Sequence, residues 1–563
     1  MAAYASVKLA VVQEVSALDA RARGRRRLRG RVLVAWSQNA PTRFEWALAG
    51  ASALLLVLSF PDFNLWPLAW VALVPLAFAV TRQRMHAATA FVLGWATGTV
   101  FFYATCWWLT HAMVHYGGIP RFVAFPLLFP APLITGLFPA LWTAVLARLA
   151  ARRGTALALA CAPALWAALE WARLAATGQL WNALGYSQAF HPALIQTASW
   201  GGVYAVGFLI VTVNAALAYF IVERTRRAAA LASLSVAGVA LVLTVTGIDA
   251  FRSPRAQLSE QPTAVVVAVQ PNVSVDFSRT SEATEALVER HLQMSNEALR
   301  GVDVRAVRVV VWPESPMNFT YTRDARFRET VARFAREQRA SVLFNSLEPA
   351  PAGGAYNSAV LINEEGLLVA QYDKIRLLPF GEYVPLPRWL PLTWLLGGVV
   401  GDFTPGAEYP LMPLGGADIS DEASVRAGVF ICFESAFPSI ASTFAARGAD
   451  VLINIANDGY LGRTPVIRQH LANVVLRAVE TGRPVLRVTN TGVSARITPR
   501  GEIIDETRPF ETSTRTWFVG QAKDEQTFYT RHGDLFAAFC VATSILALAS
   551  TLRFKRARRS RIS

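Results

Sequence analysis

The stretch AGVFICFES, residues 427–435, is a continuous apolar run that ends on a cysteine followed shortly by an acid. A run of this length suits a strand covered on both faces, and residues 436–447 behind it have the composition of a helix. The pattern repeats on either side. Strands are predicted at 263–270 (TAVVVAVQ), 306–312 (AVRVVVW), 341–347, 357–363, 367–372, 451–456 (VLINIA) and 485–490, with helices at 281–300, 324–339 and 466–482. Val- and Ile-rich strands alternating with helices place residues 258–525 in the α/β class. The turns NEEG (363–366) and TPRG (498–501) predict hairpins that add antiparallel strands.

The flanks read differently. Of the 563 residues 53% are apolar, and they concentrate in blocks before residue 250 and near the end. A helix needs about 20 apolar residues to cross a bilayer. Seven segments before the middle domain qualify, at about 46–60, 62–80, 89–112, 122–147, 156–175, 199–222 and 228–248, and an eighth lies at 535–552. Arg82 and Arg84 follow the second, Arg148, Arg152 and Arg153 the fourth, and Arg224, Arg226 and Arg227 the sixth. Basic loops alternate with loops nearly free of Lys and Arg. This expects both termini in the cytoplasm and the middle domain outside it. The organisation expected is a basic extension (1–44), a seven-helix membrane domain (45–250), an extracytoplasmic α/β domain (258–525), a last transmembrane helix (535–552) and a basic tail (553–563).

Charge supports the same reading. The net charge is +15, yet residues 1–44 carry nine Lys/Arg against two acids, and residues 553–563 carry six and none. Basicity confined to tails beside membrane segments reads as orientation and attraction to anionic lipid rather than as a nucleic-acid surface. No His/Cys/Asp cluster has metal-ligand spacing, and neither metal nor other cofactor is expected. Of four cysteines only Cys432 lies in the middle domain, so it has no disulfide partner there. The outer loop 177–198 (TGQLWNALGYSQAFHPALIQTA) holds Trp181, Tyr186, Phe190 and His191, which suit the headgroup layer or a lipid substrate. Glu170 and Arg173 beside it are spaced to pair at the interface.

Three strand ends carry reactive side chains: Glu314 in WPES, Lys374 and Glu382 in DKIRLLPFGEYVP, and Cys432 in ICFES. Singly each has a structural explanation as a helix cap, a solvated lysine or a core cysteine. Together, in this order and about 60 residues apart, they resemble the triad of the nitrilase superfamily. LLPFGEYVP, ICFES, NDGYLGRTP (457–465) with Gln469-His470, GRPVLRVTNTGVSA (482–495) and GYSQ (185–188) further resemble the membrane-integrated branch, the bacterial apolipoprotein N-acyltransferases. The resemblance covers about residues 45–555. It departs at Phe433, where the family often has Tyr, and near Phe277, where many members have Trp.

That resemblance implies an αββα sandwich with Cys432 as nucleophile, Glu314 as general base and Lys374 as oxyanion stabiliser. Glu382 and Glu434 match further acidic positions, and Phe433, Tyr356, Asn357 and Trp394 complete the supporting set. It also implies a phospholipid acyl donor and a diacylglyceryl-modified apolipoprotein acceptor. A thiol suits such a reaction because a thioester keeps acyl-transfer potential and yields to amines. Two rivals stay open on sequence alone, a membrane-tethered amidohydrolase and a non-enzymatic transporter or scaffold. Residues 389–403 (WLPLTWLLGGVVGDF) are apolar but too short to span, and are expected to form a membrane-dipping arm or a core segment.

Overall fold

The computed structural model describes residues 40–559 apart from residues 84 and 352 and the segments 253–262, 276–279, 315–318, 386–400, 416–423 and 523–524. Most of the basic N-terminal extension, Phe277, Trp394 and most of the 389–403 segment lie outside the described residues.

Among the described residues, twelve strands form two sheets: β1 Ala264–Gln270, β2 Val307–Val311, β3 Ser341–Pro349, β4 Ala355–Ile362, β5 Leu368–Asp373, β6 Leu411–Leu414, β7 Val425–Ile431, β8 Val451–Ala456, β9 Val485–Thr489, β10 Ala495–Ile497, β11 Ile503–Ile504 and β12 Ser513–Val519. One sheet runs β12-β1-β2-β3-β4-β5 and the other β11-β10-β9-β8-β7-β6. Each has three parallel strands at its centre (β1–β3, β7–β9) flanked by antiparallel ones.

Strand periodicity makes these sheets stack. Ala264, Val266, Ala268, Val309, Val311, Leu343, Ala359 and Leu361 share one core with Val425, Ala427, Val429, Leu452 and Leu486 of the second sheet. The alternate residues Val267, Val269, Val310, Val342, Phe344, Val360 and Ile362 pack instead on Val288, Phe327, Val331 and Phe334, from the helices Ser281–Leu299 and Ala325–Gln338. Successive side chains leave a strand on opposite faces, so strands β1 to β4 of the first sheet each feed both layers. Helices Pro438–Ala446 and Val466–Thr481 lie against the second sheet. This is the αββα sandwich expected. Strand β12 escaped the sequence reading because its STRTWFV pattern is mostly polar and half-exposed, as suits an edge strand.

All eight expected membrane segments are helical, with corrections to their lengths. Six described helices are long and apolar enough to cross a membrane: Ala87–Cys106, Arg121–Arg153, Thr155–Thr177, Ala198–Glu223, Arg226–Arg252 and Leu535–Leu552. The first segment, Arg43–Ser59, has 17 residues, and the second is a shorter apolar piece, Trp66–Thr81. The fourth breaks into Arg121–Leu128, Pro130–Thr135 and Leu137–Arg153, because prolines 126, 130 and 132 remove amide donors and crowd the preceding turn. Glu170 and Arg173 are buried and hold loop backbone instead of forming the interfacial pair expected. Glu170 accepts from the Leu184 amide (2.7 Å), and Arg173 donates to the Trp181 carbonyl (2.9 Å).

The Val466–Thr481 helix joins the two domains. Every residue in it except Arg468 is buried, polar ones included, because the second sheet covers one side and the membrane helices the other. Gln469 enters the bundle. Its carbonyl oxygen accepts from the ring N–H groups of Trp108 (3.0 Å) and Trp181 (2.8 Å), and its amide donates to the carbonyls of Pro61 (3.1 Å) and Thr105 (3.0 Å). Three turns on, Glu480 accepts from Arg477 (2.7 Å) and from the Val203 amide (2.9 Å). That amide is free because Gly201 and Gly202 break the helix around it, Gly202 at φ 64°.

Replacing Gln469 by Ala leaves the Trp181 indole N–H and the Pro61 carbonyl without their partner in a buried seam, while the Trp108 indole keeps the Thr105 carbonyl (2.9 Å). Each buried unpaired group costs roughly 1 kcal/mol or more. We therefore expect Gln469→Ala to destabilise the protein by about 2 kcal/mol, read as a lower unfolding midpoint in detergent. An unchanged midpoint would show that this seam does not hold the domains together.

Candidate active site

The three strand ends converge. Glu314 follows β2, Lys374 follows β5, and Cys432 ends the run of β7. The Lys374 ammonium lies 2.8 Å from Glu382 and 3.4 Å from Glu314, and the lysine is 1% exposed. Burial alone would lower its pKa, but the two carboxylates outweigh burial and raise it, so the ammonium stays charged. Asn357 donates to the same oxygens of Glu314 (3.0 Å) and Glu382 (2.7 Å), and its own oxygen accepts from Asn345 (2.7 Å). The second oxygen of Glu314 accepts from the Asn457 amide (3.1 Å) at the end of β8. The second oxygen of Glu382 accepts from the Leu378 amide (2.7 Å).

Cys432 sits at φ 50° where β7 turns into the short 3-10 helix Cys432–Ala436. A residue with a β-carbon in this left-handed region carries about 1–3 kcal/mol of strain, held here by the surrounding structure. The turn is sharp and presents the side chain beyond the strand end. Burial, then the Glu314 carboxylate, push the thiol well above its usual range, with Lys374 opposing. The resting group is therefore a thiol. Glu314 also hydrogen-bonds this thiol.

Glu434 does not face the lysine. One of its oxygens accepts from Tyr372 (2.7 Å), Ile375 (2.8 Å) and Arg376 (3.0 Å), and the other from the Ile431 amide (2.8 Å). It clamps the Lys374 loop to the Cys432 turn. Phe433 stacks on Trp181 of the membrane domain (6.1 Å, 17°) and meets Phe437 edge-on (5.4 Å). Tyr356 pairs in register with Glu348, on the face of β4 opposite to Asn357. The 177–198 loop, expected at the headgroup layer, buries Trp181 and Tyr186 inside the protein.

Sequence reasoning assigned no role to several residues at this site. Asp458 and His470 lay within quoted motifs, yet their partners come from elements distant in the chain. His470 contacts the Cys432 carbonyl (2.9 Å), Asp458 (2.7 Å) and Arg487 (3.1 Å). The available signal was a charged residue inside a buried strand, Arg487 in VLRVT, since a buried charge needs a partner. Gly492 permits the arrangement, because a β-carbon there would lie 1.9 Å from Asp458.

Residues 52–216 match the family profile of the apolipoprotein N-acyltransferase N-terminal domain, and residues 265–520 match that of carbon-nitrogen hydrolases. An apolipoprotein N-acyltransferase of Geobacter metallireducens is 33% identical over 520 residues, covering 91% of this chain and 96% of the relative. One from Chlorobaculum tepidum is 29% identical over 534 residues, covering 89% and 96%. Among solved structures, an amidase from Nesterenkonia sp. AN1 is 17% identical with a TM-score of 0.34, covering 50% of this chain and 99% of that one. An identity of 33% sustained across both the helical and the α/β regions carries one conclusion: this chain belongs to the apolipoprotein N-acyltransferase family.

Proposed function

We propose that this membrane acyltransferase moves a fatty acyl group from a phospholipid to the terminal amine of a diacylglyceryl-cysteine, through a thioester on Cys432. The observation that carries the reading is the placement of the Cys432 turn. It joins the Glu314–Lys374–Glu382 set on one side and, through Phe433 on Trp181, the membrane helices on the other. A tethered amidohydrolase has no need of that second contact, and a transporter has no need of the first.

Glu314 takes the Cys432 proton as the sulfur attacks the ester carbonyl. Lys374 faces the oxyanion that develops, its charge fixed beforehand by Glu382 and Asn357. The carbon–oxygen bond breaks, and Glu314 returns the proton to the departing lysophospholipid. In the second half the amine attacks the thioester and gives its proton to Glu314. The carbon–sulfur bond breaks, and Cys432 recovers a proton. Glu382 orients Lys374, while Glu434 fixes the spacing between the Lys374 loop and the Cys432 turn. Phe433 belongs to the lipid-facing side and Tyr356 to the periphery. We place residues 258–525 on the periplasmic side of a bacterial inner membrane, between a seven-helix domain at 45–250 and a last helix at 535–552, with the basic ends 1–44 and 553–563 in the cytoplasm. The alternating arginine loops support that orientation.

Three outcomes follow from this reading. Cys432→Ala abolishes turnover, and phospholipid alone leaves a hydroxylamine-sensitive acyl group on Cys432 of the wild type. Glu314→Gln and Lys374→Ala each slow that acylation by about 100-fold or more. Mass spectrometry that finds the acyl group elsewhere, or equal rates in the variants, would refute the roles. Because the resting pKa of Cys432 is raised, its alkylation by iodoacetamide should climb with pH and show no plateau between pH 6 and about 8.5, near an unperturbed thiol. A plateau below that range would mean a resting thiolate. Finally, an enzyme reporter that works only outside the cytoplasm should be active when fused near residue 525 and silent at residue 563. Activity at the C-terminus would overturn the topology.

A further inference from the structure

Beside the Glu–Lys–Cys set lies a second buried polar group that reaches it through a hydrogen bond to a backbone atom. His470, Asp458 and Arg487 are 3%, 1% and 0% exposed. One Asp458 oxygen lies 2.7 Å from Nδ1 of His470 and the other accepts from Arg487 (2.9 Å), which also reaches Nδ1 of His470 (3.1 Å) and Asn454 (2.5 Å). Burial opposes the charge on Asp458, but Arg487 and His470 outweigh burial and hold its pKa below the ordinary range. Asp458 is thus a fixed carboxylate behind the imidazole.

The other ring nitrogen faces outward. Nε2 of His470 lies 2.9 Å from the Cys432 carbonyl oxygen. A carbonyl only accepts, so Nε2 carries the hydrogen. Cys432 is the strained residue of the turn, at φ 50°, and its carbonyl belongs to the peptide shared with Phe433. In a trans peptide the C=O and N–H point in opposite directions. Anchoring the carbonyl on His470 therefore aims the Phe433 N–H away from His470, and that N–H heads a helical turn where the first donors have no partner within the helix.

We propose that His470 is a positioning residue for acyl transfer: by holding the Cys432 carbonyl it fixes the Cys432–Phe433 peptide, and with it the direction of the nucleophile and of the Phe433 N–H. The inference rests on Cys432 being the nucleophile. Gln469 sets the same helical turn against Trp108, Trp181 and the Pro61 and Thr105 carbonyls, so the membrane bundle fixes where His470 stands. Trp181 packs on both Phe433 (6.1 Å) and His470 (5.6 Å), closing the loop between the bundle and the turn.

Gln and Asn divide the two ends of the imidazole between them. The Gln amide nitrogen reaches about as far as Nε2, and the Asn amide reaches only as far as Nδ1. Full-length His470→Gln and His470→Asn, purified in detergent, are compared for acylation of Cys432 by phosphatidylethanolamine in single turnovers, and for kcat and KM. With His470→Asn we expect acylation and kcat to fall on the order of 100-fold, the scale of a misplaced reacting group, with KM within about 2-fold of wild type. His470→Gln should stay within about 10-fold. Equal losses in both folded variants would reduce His470 to a core filler, and a fully active Asn variant would remove its role. If the Asn variant does not fold, the Gln variant decides, since a 100-fold loss there also overturns the proposal. Cys432→Ala run alongside separates the two readings: activity in that variant sinks the thioester itself, whereas an inactive Cys432→Ala beside a fully active His470→Asn sinks only the positioning role.

Discussion

Burying the ammonium of Lys374 is the constraint around which the site is arranged. Removing such a charge from water costs several kcal/mol unless geometry and hydrogen bonds compensate. Here two carboxylates stand within 3.4 Å, and Asn357 ties them together so that neither swings away. Two carboxylates against one ammonium leave an excess of negative charge, and that excess falls on the nearest titratable neighbour. The Cys432 thiol is harder to ionise, first because it is buried and next because of the Glu314 carboxylate. In the proposed mechanism a resting thiol beside a carboxylate calls for proton transfer coupled to attack, with Glu314 taking the proton and Lys374 supplying a fixed positive field.

Such a cluster demands that three chain segments remote in sequence keep their relative positions to within a few tenths of an ångström. The sandwich supplies this by bringing the ends of β2, β5 and β7 together across two sheets that share one core. Glu434 closes the remaining gap. It accepts from amides on both sides of the junction, Ile375 and Arg376 from one sheet and Ile431 from the other. Removing one partner of a buried, fully bonded charge is costly, so this carboxylate resists drift between the sheets more firmly than apolar packing does.

Much of this was legible in the sequence because the signals were local. A Val/Ile run followed by Glu, Lys or Cys at its end is visible within ten residues, and the α/β alternation follows from the period of the strands. Apolar blocks separated by arginine loops marked the helices, although prolines 126, 130 and 132 broke one of them and Arg43–Ser59 stopped at 17 residues. Long-range polar contacts stayed hidden. Nothing near Glu170 in the chain shows that the Leu184 amide will claim it, and nothing near Gln469 shows that two tryptophans from different membrane segments will converge on its oxygen. Glu434 looked like one more active-site acid because sequence records that a carboxylate is present without recording which way it points.

The contacts of the Val466–Thr481 helix bear on why a bundle, rather than a single anchor, accompanies this domain. An α/β sandwich ordinarily leaves its outer helices half-solvated, with one polar stripe facing water. Here that stripe is replaced by Gln469, His470, Asn473, Arg477 and Glu480, all buried, of which Gln469, Arg477 and Glu480 meet residues of the membrane domain. Polar groups in such a setting need specific partners, and a single anchoring helix offers too few. The bundle supplies them through Trp108, Trp181 and Val203. The same aromatic wall covers the Cys432 turn through Phe433. In the proposed mechanism this cover keeps water from competing with the amine for the acyl thioester. An acyltransferase thus differs from a hydrolase less in its reacting groups than in what surrounds them, and in this protein the surroundings are the membrane domain.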